Sequence, residues 1–162
     1  MSQNTIPCQS LLSIEQREKI RNLIDQNPSI HHAVEYLSDE FELQITSDPD
    51  VVKGFERDYS NLPGNAEMLC RPINDKECAL ILTYCQSAKI PITIAAGRTN
   101  LNGSSTPEGG MVMSIEKLTC PGPKLNLNAR CISSPVGIYL EDMRNAALRK
   151  SHNRLHFPVD PT

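Results

Sequence analysis

The chain has 162 residues, 39% of them hydrophobic and 22% charged, with a formal net charge of -3. That is enough apolar mass for one domain with a core, too much for wholesale disorder, and too little positive charge for a dedicated nucleic-acid binder. Trp is absent and aromatics make up 4%, which argues against a base-stacking platform, and no apolar run reaches the roughly 20 residues needed to span a bilayer.

The N-terminal segment shows no basic stretch followed by an apolar one, so no secretory signal and a cytoplasmic location are expected. Cys8, Cys70, Cys78, Cys85, Cys120 and Cys131 form no C-x-x-C pair and have no His at zinc-site spacing. Reduced, mostly buried thiols are the expectation, and no metal site is expected.

Ser13 followed by Gln16 is a capping box that opens a helix, with Ile20, Leu23 and Ile24 inward until Asn27-Pro28. A second helix starts near Ser29, where Ile30, Ala33, Val34, Leu37 and Phe41 recur at helical spacing. Between residues 47 and 64 the pattern lapses into loops, with a short turn of helix over Val51 to Phe55. The boundary between a helical N-terminal extension, residues 1–57, and an α/β unit, residues 58–162, is placed here.

Glu67 to Arg71 reads as a strand closed by Pro72. Asn74 caps the next helix, with Glu77 completing a box and Cys78, Ile81, Leu82 and Cys85 as the buried stripe. Ile92 to Ala95 and Met111 to Ile115 are strands, and a weaker one lies around Cys131 to Ser133. A last helix runs from Tyr139 to Lys150, with Leu140, Met143, Ala147 and Leu148 inward. The fold class is therefore α+β (α/β): two helices, then β-α-β-β-β-α. The first β-α-β has the length of a right-handed crossover between parallel strands.

The chemistry is carried by the segment Ala96 to Gly103, which leaves the end of a strand, where α/β sheets bind ligands. Gly97 and Gly103 are expected to let the main chain approach a ligand and adopt positive φ. Successive amides in such a loop converge on an anion, and Thr99, Asn100, Asn102, Ser104 and Ser105 add neutral donors. A pyrophosphate suits this chemistry. The spacing is neither G-x-G-x-x-G nor a Walker-type Gly-Lys-Ser/Thr loop. The alternative, in which Gly103, Gly109 and Gly110 only serve turns before the Met111 strand, stays open on the loop alone.

The order Arg71-Pro72, capped helix, strand, Gly97-Arg98-Thr99-Asn100-Leu101-Asn102-Gly103, Pro107, Gly109-Gly110 and apolar strand resembles a known pattern. It is similar to the FAD-binding domain of FAD-linked oxidases of the para-cresol methylhydroxylase and vanillyl-alcohol oxidase type. Within these it looks most like the branch with the glycolate oxidase flavin subunit and D-lactate dehydrogenases. That branch typically reads Gly-Gly-Thr-Ser-Leu-x-Gly in the loop. The closing Phe157-Pro158-Val159-Asp160-Pro161-Thr162 is similar to its Pro-Pro-Asp-Pro turn. The likeness runs from about Asp58 to Thr162.

The resemblance implies that Gly97, Arg98, Thr99, Asn100, Leu101 and Gly103 cradle the pyrophosphate of FAD, with Pro158 and Asp160 nearer the flavin ring or its linker. It implies non-covalent FAD, because no His occupies the loop position used for covalent attachment in some relatives. Arg98 stands where the family usually has Gly, so either the loop is stiffer or the guanidinium reaches a phosphate. Pro135 stands near another family Gly.

The function implied is the FAD-binding portion of an oxidoreductase that passes a hydride from a 2-hydroxy acid to the flavin. The chain resembles only the first half of the flavin domain, so the second Gly-rich segment and a substrate domain are expected beyond Thr162 or on another subunit. No catalytic residue is expected in this portion: Glu108, Glu116, Glu141 and Asp142 fall in loops or on solvated faces, and His152 and His156 flank a loop. The competing expectation is a truncated, catalytically inactive flavin-domain fragment or interaction module. A sugar or cell-wall precursor as substrate is a third.

Overall fold

The computed structural model describes residues 8–158, which cluster into two compact units, residues 8–115 and residues 116–158. In the first unit a 3-10 turn (Cys8–Leu11) leads into helix α1 (Ile14–Asp25). Ser13 caps α1 by accepting the Gln16 amide at 3.1 Å while the Gln16 side chain accepts from the Ser13 amide at 3.1 Å, so the capping box read from the sequence is present. Helix α2 (Ile30–Phe41) is capped by Ser29 and ends at Glu42 in the left-handed conformation. Its apolar stripe buries Ala33, Val34 and Leu37.

A two-residue strand β1 (Ile45–Thr46) and a short helix α3 (Pro49–Val52) follow, continued by a 3-10 turn over Lys53–Phe55. Strand β2 (Met68–Cys70), helix α4 (Asp75–Ala88), strand β3 (Ile92–Ala95) and strand β4 (Met111–Ser114) complete the unit. The sheet order is β1-β2-β4-β3. β2 and β3 both run parallel to β4, which lies between them, and β1 pairs antiparallel with β2. The expected parallel β-α-β crossover is thus present, with a third strand inserted at its centre.

Strands β2 and β4 are buried on both faces, which explains the apolar runs Met68-Leu69-Cys70 and Met111-Val112-Met113; β4 ends in a buried serine, Ser114. Alternation sends Met68, Cys70, Met111 and Met113 to the face covered by α1, α2 and α4. The opposite face carries Leu69, Val112 and Ala95, packed with Val52 of α3 and with Phe55. Ile20 and Leu23 of α1 are buried in the first of these cores. Helix α4 buries Ala79, Leu80, Ile81, Thr83, Tyr84 and Cys85, a wider band than the expected stripe, because the sheet and the N-terminal helices cover it from different sides.

Gly110 closes the approach to β4 with φ +70, and a Cβ there would stand 2.2 Å from the Pro91 carbonyl oxygen. That carbonyl accepts the Met111 amide at 2.9 Å, so the crossing of the β3 and β4 entries requires glycine.

In the second unit, strands β5 (Lys124–Asn126) and β6 (Cys131–Ser133) form an antiparallel hairpin, and helix α5 (Leu140–Lys150) follows. Glu141 and Asp142 in the first turn and Arg149 and Lys150 in the last suit the helix dipole. Its buried residues are Ala146 and Ala147; of the expected inward set Ala147 is buried, whereas Leu140, Met143 and Leu148 are half-buried. The thiols divide: Cys70 and Cys85 are buried, Cys78 is half-buried, and Cys120 and Cys131 are exposed, contrary to the expectation that most are inside. Burial pushes the Cys85 thiol up to about 12, so it is an inert apolar group. Among the described residues no helix is long and apolar enough to cross a membrane, and no cluster of metal-ligating side chains occurs.

Candidate functional site

The loop that leaves the carboxyl end of β3 meets the segment that follows the 3-10 turn at Lys53–Phe55. Between them lies an open cleft of about 490 Å³, lined by Arg57, Asp58, Tyr59, Asn61, Gly97 and Arg98. The two segments are tied by the Tyr59 amide, which donates to the Arg98 carbonyl at 3.0 Å.

Asp58 is the hub of this junction and is 6% exposed. One carboxylate oxygen accepts the Ser60 amide at 2.9 Å and the Ser60 hydroxyl at 2.5 Å; the other accepts the Asn100 side-chain amide and the Ser105 backbone amide, the latter at 3.2 Å. Ser105 in turn donates its hydroxyl to the Asn100 side-chain oxygen at 3.0 Å. The hydrogen bonds from Ser60, followed by those from Ser105 and Asn100, outweigh burial and hold the Asp58 carboxyl at about 2. Asp58 is ionised at neutral pH, yet its lone pairs face these donors. With Arg57 and Arg98 also on the cleft wall, the formal charge of the lining is one positive unit.

The loop's backbone differs in detail from the expectation. Gly103 has φ +76, as anticipated, but Gly97 does not lie in the left-handed region; Arg98 does, with φ 55. A backbone conformation that favours glycine is therefore adopted here by an arginine. The Arg98 guanidinium does not reach into open space: it donates to the Gly54 carbonyl and lies over the Phe55 ring, 4.5 Å from its centroid. Arg71 approaches the same ring at 5.6 Å. Of the two roles open to Arg98 from sequence, the stiffening one matches this geometry.

Among the described residues, the amides from Gly97 through Gly103 donate to no protein acceptor. Bonding resumes at Ser104, whose amide donates to the Asn102 side chain at 3.2 Å, and at Ser105 on Asp58. A Cβ at Gly97 would meet only Thr99 Cγ2, at 3.9 Å, so the space above this residue is open. Unpaired consecutive amides, the first two of them at residues that line a cleft with surplus positive charge, are donors of the kind a diphosphate accepts from, so the residues present fit such a group. The Asn100 and Ser105 side chains, by contrast, are committed to Asp58 and to each other.

Gly97 and Arg98 line the cleft, whereas Thr99, Asn100, Leu101 and Gly103 continue the same loop without lining it; Leu101 is 76% exposed. Pro158 is exposed and belongs to the second unit, and Asp160 lies outside the described residues. His152 and His156 are exposed. Asp58 and Phe55 carry no sequence signal of a site, because beyond Ser60 and Arg71 their partners are Asn100, Ser105 and Arg98, more than forty positions away.

The architecture is that of part of the FAD-binding domain of FAD-linked oxidases of the vanillyl-alcohol oxidase and para-cresol methylhydroxylase type. A solved structure that shares it is "Physcomitrella patens BBE-like 1", with a TM-score of 0.59, 11% identity, and coverage of 72% of this chain and 26% of that one. In sequence, the chain is 32% identical over 97 residues to D-lactate dehydrogenase of Archaeoglobus fulgidus, covering 58% of this chain and 20% of that protein. It is 24% identical over 102 residues to UDP-N-acetylenolpyruvoylglucosamine reductase of Clostridium perfringens, covering 63% of this chain and 32% of that protein. The chain thus spans between a fifth and a third of the curated relatives it matches. No protein-family model matches it.

Proposed function

We propose that the chain is the FAD-binding portion of a flavin-dependent oxidoreductase, with residues 1–57 a helical extension and residues 58–162 the first half of the flavin domain. The observation that carries this reading is the run of unpaired amides from Gly97 to Gly103 at the end of a parallel strand. In this assignment the amides of Gly97, Arg98, Thr99, Asn100, Leu101 and Gly103 hold the diphosphate, non-covalently. Asp58 keeps Asn100 and Ser105 folded inward so that the outer edge of the loop stays free for the ligand. Arg98, pinned on Phe55, fixes the turn at which the amides change direction. Bound FAD supplies the hydride acceptor, and the protein supplies position and charge.

Similarity to D-lactate dehydrogenase favours a 2-hydroxy acid of the glycolate or D-lactate type as substrate. Similarity to the UDP-N-acetylenolpyruvoylglucosamine reductase supports a second reading, a nucleotide-linked sugar precursor. Consumption of D-lactate or glycolate by the flavin-loaded protein distinguishes the first from reduction of the UDP-linked sugar, which marks the second.

Titration of FAD followed by quenching of its fluorescence tests the cofactor assignment. Gly97→Asp places a carboxylate in open space at a residue that needs no positive φ, so the variant folds with an unchanged urea midpoint. Like-charge repulsion and steric occlusion are expected to weaken FAD binding by at least about ten-fold. Equal affinity in the two proteins, or no quenching with either, overturns the assignment.

A further inference from the structure

A second concavity lies within the first unit, between helices α1 and α4. Its volume is about 210 Å³, and it is lined by Arg17, Ile20, Arg21, Ile24, Thr83 and Ser87. The α1 residues stand at i, i+3, i+4 and i+7, so they share one helix face, and Thr83 and Ser87 are one turn apart on α4. Two cations therefore rim a cavity with an isoleucine floor and a hydroxyl wall, and no acidic side chain lines it.

The wall contains an unexplained group. Thr83 is 7% exposed, and its hydroxyl is buried without a hydrogen-bond partner. Buried hydroxyls are ordinarily satisfied, and leaving one unpaired opposes folding. Arg17 is held in place, since its Nε and one terminal nitrogen both donate to the Leu12 carbonyl, at 3.3 and 3.0 Å, leaving other N–H groups free. Arg21 is exposed and makes no ion pair among the described residues. Ile20, 1% exposed, and half-buried Ile24 exclude water from one side of the cavity.

We propose that this cleft is a binding site for a short-chain aliphatic carboxylate, with the carboxylate on Arg17 and Arg21, accepting also from the Thr83 hydroxyl, and the tail on Ile20 and Ile24. Each element of the lining answers one part of that ligand. Two cations in a lining that holds no acidic side chain favour an anion, although Glu18 and Asp25 stand elsewhere on the same helix, and the donor fork of arginine matches a carboxylate. The apolar floor requires a tail. A volume below the 300 to 1,000 Å³ typical of drug-sized ligand sites, roughly, restricts the tail to a few carbons. The orphaned hydroxyl gains the acceptor that the protein does not give it. The site is independent of the flavin assignment, because no residue is shared.

Hexanoate is the probe, read by the methyl resonances of Ile20 and Ile24 in the full chain. The expected result is a saturable shift of both, with hexanol, which has the tail without the charge, and acetate, which has the charge without the tail, each binding about ten-fold more weakly. Thr83→Val removes the hydroxyl at nearly constant shape. It is expected to weaken hexanoate about ten-fold while leaving the ligand-free urea midpoint unchanged or higher, the opposite of what a structural hydroxyl would do. Arg21→Gln, at an exposed position, should weaken binding and reduce its salt dependence. Equal binding of hexanol and hexanoate, undiminished binding in Thr83→Val, or methyl resonances that do not respond to hexanoate would each overturn the proposal.

Discussion

Arg98 offers a test in which the usual ranking of alanine and glycine inverts. Its φ of 55 lies in the left-handed region, where an L-residue with a Cβ is disfavoured by about 1–2 kcal/mol. Two contacts offset this: the guanidinium over Phe55 at 4.5 Å, worth about 0.5–1 kcal/mol at a partly exposed site, and the bond to the Gly54 carbonyl, worth about 0.5–1.5 kcal/mol. Arg98→Ala removes both contacts and keeps the backbone cost, so it should destabilise the first unit by about 1–2.5 kcal/mol. Arg98→Gly loses the same contacts but recovers the backbone term, less the roughly 0.4–1 kcal/mol by which glycine loosens the unfolded chain. Glycine should therefore be more stable than alanine by about half to one kcal/mol. Urea unfolding of the three proteins with m-values compared reads the difference directly. Arg98→Ala as stable as wild type, or Arg98→Gly at or below Arg98→Ala, would refute the assigned backbone and contacts.

Gly110 and Gly109 separate strain from steric conflict. Both have positive φ, but only a Gly110 Cβ collides, at 2.2 Å from the Pro91 oxygen, whereas nothing lies within 4 Å of one at Gly109. Gly109→Ala should cost about 1–2 kcal/mol and Gly110→Ala more than about 3 kcal/mol, measured by the same urea titration. Asp58 sets part of the acid limb of stability. Its folded value of about 2 lies below its ordinary 3.8, so its contribution is complete above pH 3.8 and is lost as the pH falls from there through about 2. Thermal melts across that window should show a shallower pH dependence in Asp58→Asn than in wild type; parallel curves would contradict the hub.

The parts of the fold legible from sequence are those with local causes. Ser13 with Gln16 and Asn74 with Glu77 mark helix starts by chemistry within one turn, and both caps form; at the second, Asn74 accepts the Glu77 amide at 2.9 Å. The reciprocal bond lands one residue earlier than the pattern implies, from the Ile73 amide to the Glu77 carboxylate at 2.9 Å. Strand β1 escapes because two residues carry no periodicity and owe their conformation to pairing with Leu69 and Cys70. Strand β5 escapes for a related reason: Lys124 and Asn126 are exposed, and only Leu125 is half-buried, so the segment reads as loop.

In the candidate site the glycines drew notice because glycine punctuates loops. The positive φ at Arg98 has no such marker, since it is imposed by the Phe55 and Gly54 contacts across the sheet end. Asp58 has none either. Only its bonds to Ser60 are local, and those to Asn100 and Ser105 exist once β3 has been placed beside the segment after α3.

In the proposed assignment the free amides of the loop hold the diphosphate bridge of FAD. Nitrogen-15 correlation spectra of the full chain, titrated with FAD, ADP and riboflavin, address it atom by atom. Downfield shifts of the Gly97 to Gly103 amide protons are expected with FAD and with ADP, which share the diphosphate, and none with riboflavin, which lacks it. Those amides standing still while FAD perturbs other residues, or moving equally for riboflavin, would contradict it.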